Sequence, residues 1–272
     1  MKIVTDTNVK QLWNIGGDFG ELKGIAQPTG QGYAYSNEEY QLTALIEKGV
    51  QGVYSRQDTL KNISGRTLTV HSVTSKFQFE GSEFEVYVQA NGWVHESTGA
   101  WQKLTSGVQV QCESVRTCCG AAPFAVLWNC QTHRGIAFHL LADGAWRMNL
   151  TRVTAPGGIS YAEVEMGLED RDLALPLAPG EAFDLPEILY YEVRSQLDLD
   201  CAKLHHYCNH RWPRREMPVM FNSWLYLFSD LSVENIMPCI PVAQKIGCEY
   251  FVIDAGWFGR DPNWGASIGD WV

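Results

Sequence analysis

The segment YFVIDAGWFG, residues 250–259, decides how the last part of the chain is read. Its first five residues form a strand pattern: Tyr250, Phe251, Val252 and Ile253 are β-branched or aromatic. A run without polar alternation suits a parallel strand covered on both faces. The run stops at a lone carboxylate, Asp254, and passes into an aromatic, glycine-containing stretch, Ala255–Gly259. Upstream, PVMFNSW (218–224) reads as a second buried strand, and VENIMPCIPVAQKIG (233–247) as a crossover helix opened by Ser232 and closed by Gly247. Pro238 and Pro241 make the first turns of that helix irregular. Strand, helix and strand in this order imply parallel pairing with a right-handed crossover.

In an α/β barrel the carboxyl ends of the parallel strands form the rim of the site, so a side chain directly after such a strand projects into the ligand cavity. Asp254 and Trp224 each end one of the two strands. An acceptor beside a flat aromatic suits a pyranose, whose edges carry hydroxyls and whose carbon face is apolar. A helix N-cap role for Asp254 is the competing reading, and the aromatic, glycine-rich sequence after it speaks for the rim.

Up to about residue 190 the pattern differs. Phe77 and Phe79, then Phe84, Val86 and Val88, alternate with polar positions around Gly81-Ser82 and read as a hairpin with one apolar face. Phe124–Cys130 and Gly135–Leu141 read as a second hairpin, and Trp146, Met148 and Leu150 as the buried side of a further strand. Many strands, closely spaced turns and almost no helical period predict a large β-sandwich. The change comes after LPLAPGEAFDLPE (175–187), where three prolines and a glycine punctuate the sheet region. SQLDLDCAKLHHYCNHR (195–211) then places Leu197, Cys201, Leu204 and Cys208 on one helical face. The expected organisation is a mainly β, antiparallel sandwich over 1–190, a linker helix over 191–216, and the first strand-helix-strand unit of a (β/α)8 barrel, incomplete, over 217–272.

With 272 residues, 45% hydrophobic content and 12% aromatics, the chain has ample material for a core. A formal charge of -10 argues against nucleic acid or an anionic membrane as partner, because phosphate neutralisation needs clustered Lys and Arg. The opening residues MKIVTDTNVKQLW show neither a secretory leader nor a membrane span, so a cytoplasmic location is expected, with eight free cysteines. His205, His206 and His210 with Cys201 and Cys208 have metal-ligand spacing, but no second ligand cluster is evident, and a helix with Cys inward and His in solvent is expected. Cys118-Cys119 is read as strand packing. WVHESTGAW (93–101), a loop between strands, offers Trp93 and Trp101 either as sugar-stacking residues or as core; Asp143, Trp146 and Arg147 share that ambiguity.

NSW at 222–224, IDAGWFG at 253–259 and GDW at 269–271 resemble the start of the catalytic barrel of glycoside hydrolase family 36, the α-galactosidases. WVHESTGAWQKLTSG (93–107) and GIAFHLLADGAWRM (135–148) resemble segments of that family's N-terminal sandwich. The resemblance implies retaining hydrolysis of terminal α-linked galactose from oligosaccharides by two Asp residues about 5–5.5 Å apart on later strands, with no cofactor or metal. On that footing Trp224, Asp254 and Trp257 bind the sugar, and Asp270 is structural. The nucleophile and acid/base are not expected within residues 1–272, so the chain reads as an N-terminal fragment, inactive alone and open to association as a homo-oligomer. Where the family often carries Asp-Asp-Gly-Trp this chain has Asp254-Ala255-Gly256-Trp257, which leaves galactose and N-acetylgalactosamine both open. Two other functions stay open: a non-catalytic carbohydrate-binding sandwich stacking sugars on Trp93 and Trp101, and a barrel enzyme using Asp254 as a metal ligand.

Overall fold

A computed structural model describes residues 8–92, 95–113, 120–154, 157–158, 160–194, 197–213, 215–258 and 264–269. The chain divides into two compact units, Met1–Trp212 and Pro213–Val272. Trp93, Cys118, Cys119, Ser195 and Asp270, singled out above, lie outside the described residues.

Antiparallel sheets build the first unit. The smaller runs in the order Trp13–Gly17, Leu68–Glu80, Ser160–Leu168, Trp146–Thr154, Gly107–Cys112, with Leu175–Leu177 beside Leu68–Glu80. The larger runs Gln27–Thr29, Gly32–Ser36, Tyr40–Lys48, Tyr54–Asn62, Glu187–Val193, Arg134–Leu141, Gly120–Asn129, Phe84–Gly92, His95–Lys103, with Ala182–Asp184 beside Tyr54–Asn62. Inward residues of both sheets share one apolar layer: Phe77, Trp146, Met148 and Val164 from the first meet Val86, Leu127 and Phe138 from the second. This is the sandwich that the alternating pattern predicts. Each large side chain fully buried in it contributes about 1.5–3 kcal/mol of transfer free energy.

One expected hairpin is not one. Leu68–Glu80 pairs with Trp13–Gly17 and Ser160–Leu168, whereas Phe84–Gly92 pairs with Gly120–Asn129 and His95–Lys103. The turn at Gly81-Ser82 therefore carries the chain from one sheet to the other. Period-two alternation reports which face is buried, and both strands face the same core, so the pattern is identical for a hairpin and for a sandwich corner. The second hairpin is present, Gly120–Asn129 against Arg134–Leu141. His95–Lys103, read as loop, is an exposed strand against Phe84–Gly92, and its Trp101 packs on Tyr87 with ring centroids 5.3 Å apart. Trp146 is fully buried, and Arg147 ion-pairs with Glu165 and Asp170, so both serve packing.

Two apolar clusters fill the layer, and a buried ion pair spans the gap between them. Arg56 and Asp58 lie two apart on Tyr54–Asn62 and so point to the same, inner side. Arg56 Nη2 donates to Asp58 Oδ2 at 2.7 Å and Arg56 Nε to Asp58 Oδ1 at 2.8 Å. Trp13 Nε1 and Ser75 Oγ each donate to Asp58 Oδ2 at 2.7 Å. Arg56 Nη1 and Nη2 also donate to the carbonyls of Lys76 and Leu12, respectively. Asp58 thus meets its charged partner and two further donors inside an apolar layer.

The helical segment after the sheets comprises Leu197–Asp200 and Ala202–Arg211. Tyr207, Leu204 and Cys208 pack with Val53, Leu189 and Val193, while His205, His206 and His210 are exposed. Among the described residues Cys130, Cys201, Cys208, Cys239 and Cys248 are free thiols. Among the described residues no helix is long and apolar enough to cross a membrane.

The second unit holds the parallel pair Met220–Asn222 and Tyr250–Val252, with Met220 opposite Tyr250, Phe221 opposite Phe251 and Asn222 opposite Val252. Ser232 caps the intervening helix through its side chain, and Pro238 splits it into Val233–Ile236 and Cys239–Lys245. Gly247 closes it at φ +87°, its N–H bonded to the Gln244 carbonyl and that of Cys248 to the Ala243 carbonyl. Both strands are short and open rather than covered on both faces: Met220 is 53% and Tyr250 59% exposed. Leu225, Val233 and Ile246 are likewise exposed.

Candidate functional site

The ladder of the parallel pair extends beyond its last strand residue. Ser223 N–H donates to the Val252 carbonyl at 3.0 Å, and the fully buried Ser223 Oγ accepts from Asp254 N–H at 3.0 Å. Asn222 and Val252 are register partners, so Asp254, two residues on, returns to the face that Asn222 occupies. There Asn222 Nδ2 donates to Asp254 Oδ2 at 2.7 Å. On the opposite face Phe221 and Phe251 stack at 4.9 Å and 15°.

Asn222 also turns the chain. Its Oδ1 accepts from Trp224 N–H at 2.8 Å, and Trp224 opens a single helical turn, Trp224–Leu227, instead of ending the strand as the sequence pattern suggests. The side-chain bond to the second following N–H competes with the ladder and terminates it. Past the turn, Phe228 is left-handed at φ +50°, and Gly256 at φ +113° passes close to it: a Cβ on Gly256 would sit 3.1 Å from Ser229 Cα. Only glycine allows the loop carrying Trp257 to lie against the loop carrying Phe228.

Asp254 Oδ1 accepts from Ala255 N–H at 2.7 Å. That backbone bond, followed by the bond from Asn222, holds the carboxyl below its ordinary range, so it is ionised at neutral pH. Each of its oxygens accepts one protein donor, and each retains capacity for another. Asp254 is partly exposed and Trp257 is 59% exposed, with Trp224 half-buried between helix and strand end. The three residues expected from sequence thus lie on the two segments that follow the parallel strands. Two residues that set the geometry, Asn222 and Ser223, were legible only as parts of the NSW motif. Among the described residues no group of three His, Cys, Asp or Glu side chains could hold a metal.

Residues 182–272 match the Melibiase family model. Over 235 residues, 81% of this chain, the sequence is 27% identical to α-galactosidase AgaA of Geobacillus stearothermophilus. Over 112 residues, 39% of this chain, it is 33% identical to the bifunctional α-galactosidase/sucrose kinase AgaSK of Mediterraneibacter gnavus. The chain is similar in sequence to α-galactosidases, over part of their length. In fold it is similar to the galactosidase domain of AgaSK, with a TM-score of 0.76 at 19% identity over 95% of this chain and 38% of that one. Family 36 AgaA of G. stearothermophilus gives a TM-score of 0.72 at 21% identity over 96% and 39%. The chain spans 31% of the length of AgaA and 12% of that of AgaSK in the sequence alignments.

Proposed function

We propose that this chain supplies the sandwich and the first galactosyl-binding strand ends of a retaining α-galactosidase acting on oligosaccharides in the cytoplasm. In this reading residues 217–272 begin a (β/α)8 barrel, and the nucleophile and acid/base lie outside residues 1–272. The observation that carries it is the Asn222–Asp254 clamp at the carboxyl end of a parallel strand pair, 2.7 Å long and partly open to solvent. The clamp presents an ionised acceptor, and Trp224 and Trp257 offer apolar faces for the carbon side of a pyranose. A variant of the relative AgaA has been solved with raffinose, which supports an oligosaccharide ligand. With Ala255 in place of a second acid, the sugar subsite has one charged acceptor fewer, and a modified galactose such as the N-acetylated form becomes a competitive substrate.

The test compares two polypeptides on 4-nitrophenyl α-galactoside: residues 1–272, and the same chain extended through the remaining barrel strands. The extended form is expected to turn over the substrate and the short form to be inactive. Comparable rates in both would refute the placement of the catalytic pair outside these residues.

A further inference from the structure

The outer face of the large sheet carries aromatic and polar side chains that the galactoside reading does not use. Phe84 and Val86 point into the core, so Glu85 and Tyr87 point outward. Glu85 lies opposite Lys103 on one neighbouring strand and Trp128 on the other, and Tyr87 lies opposite Trp101. Trp128 leans across its register partner Gly135: a Cβ there would stand 2.9 Å from Trp128 Cε3, so the missing side chain leaves room for the indole. Trp101 is the one large apolar side chain of the polar strand His95–Lys103, and it is 46% exposed. Glu85, Trp101 and Trp128 wall a cavity of about 400 Å³ together with Val193 and Leu197. Glu85 also lines a second cavity, of about 440 Å³, with Ser82, Lys103, Thr105 and Arg152.

We propose that these two cavities bind a neutral oligosaccharide, one sugar ring against the indoles of Trp101 and Trp128 and the next beside Lys103, Thr105 and Arg152. A pyranose turns an apolar carbon face to an indole and carries hydroxyls at its edges. Glu85, common to both cavities, accepts from those hydroxyls. It is half-buried, yet among the described residues nothing donates to its carboxylate, and its oxygens are not enclosed. The indole N–H groups of Trp101 and Trp128 are likewise taken by no described residue. Donors and acceptor are thus open to a ligand. An organic cation suits the site less well, because Lys103 stands directly opposite Glu85 and offsets its charge. A flat aromatic ligand would use the indoles and leave the polar second cavity without partners. Each volume lies within the ordinary range for small-ligand sites, roughly 300–1,000 Å³. All these residues belong to the Met1–Trp212 unit, so the proposal does not rest on the reading of Asp254.

The probe is raffinose, titrated into the full 272-residue chain and followed by ¹H–¹⁵N NMR of the indole N–H signals. Trp101→Phe and Trp128→Phe assign the two signals of interest. Both are expected to shift and to saturate, with half-saturation below about 10 mM. Glu85→Ala is expected to weaken binding about fivefold or more, and Asp254→Ala to leave it unchanged. Trp101→Ala is expected to abolish the response at Trp128 while the remaining indole signals keep their positions. No saturation at either signal up to about 50 mM would overturn the proposal, as would Glu85→Ala binding raffinose as the parent does. Choline chloride giving a tighter saturable shift at the same two signals would overturn it in favour of a cation site. A response that Asp254→Ala removes would assign the sugar to the other unit, and that too would overturn it.

Discussion

Asp58 and Asp254 are both carboxylates held by neighbouring donors, yet they serve opposite ends. Asp58 is 1% exposed and takes bonds from Arg56, Trp13 and Ser75, so its lone pairs are spent inside the sandwich. Asp254 takes one bond from Asn222 and one from Ala255, and its remaining capacity meets solvent. The difference teaches that donor count and exposure together separate a structural acid from an acid available to a ligand. Sequence neighbours alone do not: Asp58 follows Gln57 in a polar-looking strand, while Asp254 follows an entirely apolar one.

The comparison breaks first at the buried end. Asp58→Ala leaves Arg56 charged and unpaired against Trp13 and Phe77, and should destabilise the sandwich by about 3–5 kcal/mol, read from urea unfolding midpoints. Replacing both partners together, Arg56→Met with Asp58→Leu, should recover most of that loss, because apolar packing substitutes for a buried pair at little net cost. If the double variant is as unstable as the single one, the pair does more than fill the seam between the two apolar clusters.

At the open end the expected effect falls on binding rather than on folding. In the extended enzyme Asp254→Ala should reduce kcat/KM by roughly ten- to a hundredfold, the range for losing a hydrogen bond to a charged group. Its unfolding midpoint should stay within error of the parent, since the side chain lies at the surface with two protein donors. Ala255→Asp should act in the reverse sense, lowering KM for the unmodified galactoside by a smaller factor and sharpening discrimination against an N-acetylated one. Unchanged kinetics for Asp254→Ala would remove that residue from the sugar site.

Much of this was legible in the residues. The parallel unit follows from an unbroken apolar run on each side of a helix with a serine start and a glycine stop, and both Ser232 and Gly247 do what their chemistry requires. Trp146, Met148 and Leu150 alternate and are all fully buried. What escaped was partner choice. The turn at Gly81-Ser82 joins two sheets because pairing partners lie far along the chain, at Ser160–Leu168 and Gly120–Asn129, and no local pattern names them. The inward ion pair escaped for a related reason: alternation places Arg56 and Asp58 on one face, but only the packed sheets show that the face is inner. Asn222 and Ser223 owe their roles to register with Val252 and Asp254, which exists only once the two strands meet.

The smallest effect expected concerns the clamp itself, and it sharpens the contrast most finely. The Ala255 N–H and Asn222 amide depress the Asp254 pKa in the folded chain. A depressed folded pKa stabilises the native state above the unfolded value, and that contribution fades as pH falls through the folded value. Exposure and screening make it slight in stability terms, so the measurement to make is the titration of the carboxyl carbon by ¹³C NMR. Asn222→Ala should move the midpoint upward, toward the ordinary Asp range, without abolishing the depression, because the Ala255 bond, the larger cause, remains. In the extended enzyme the acid limb of kcat/KM should shift upward with it. A midpoint unmoved by Asn222→Ala would mean that the amide only ends the strand through Trp224 N–H, and that Asp254 is poised by its own backbone alone.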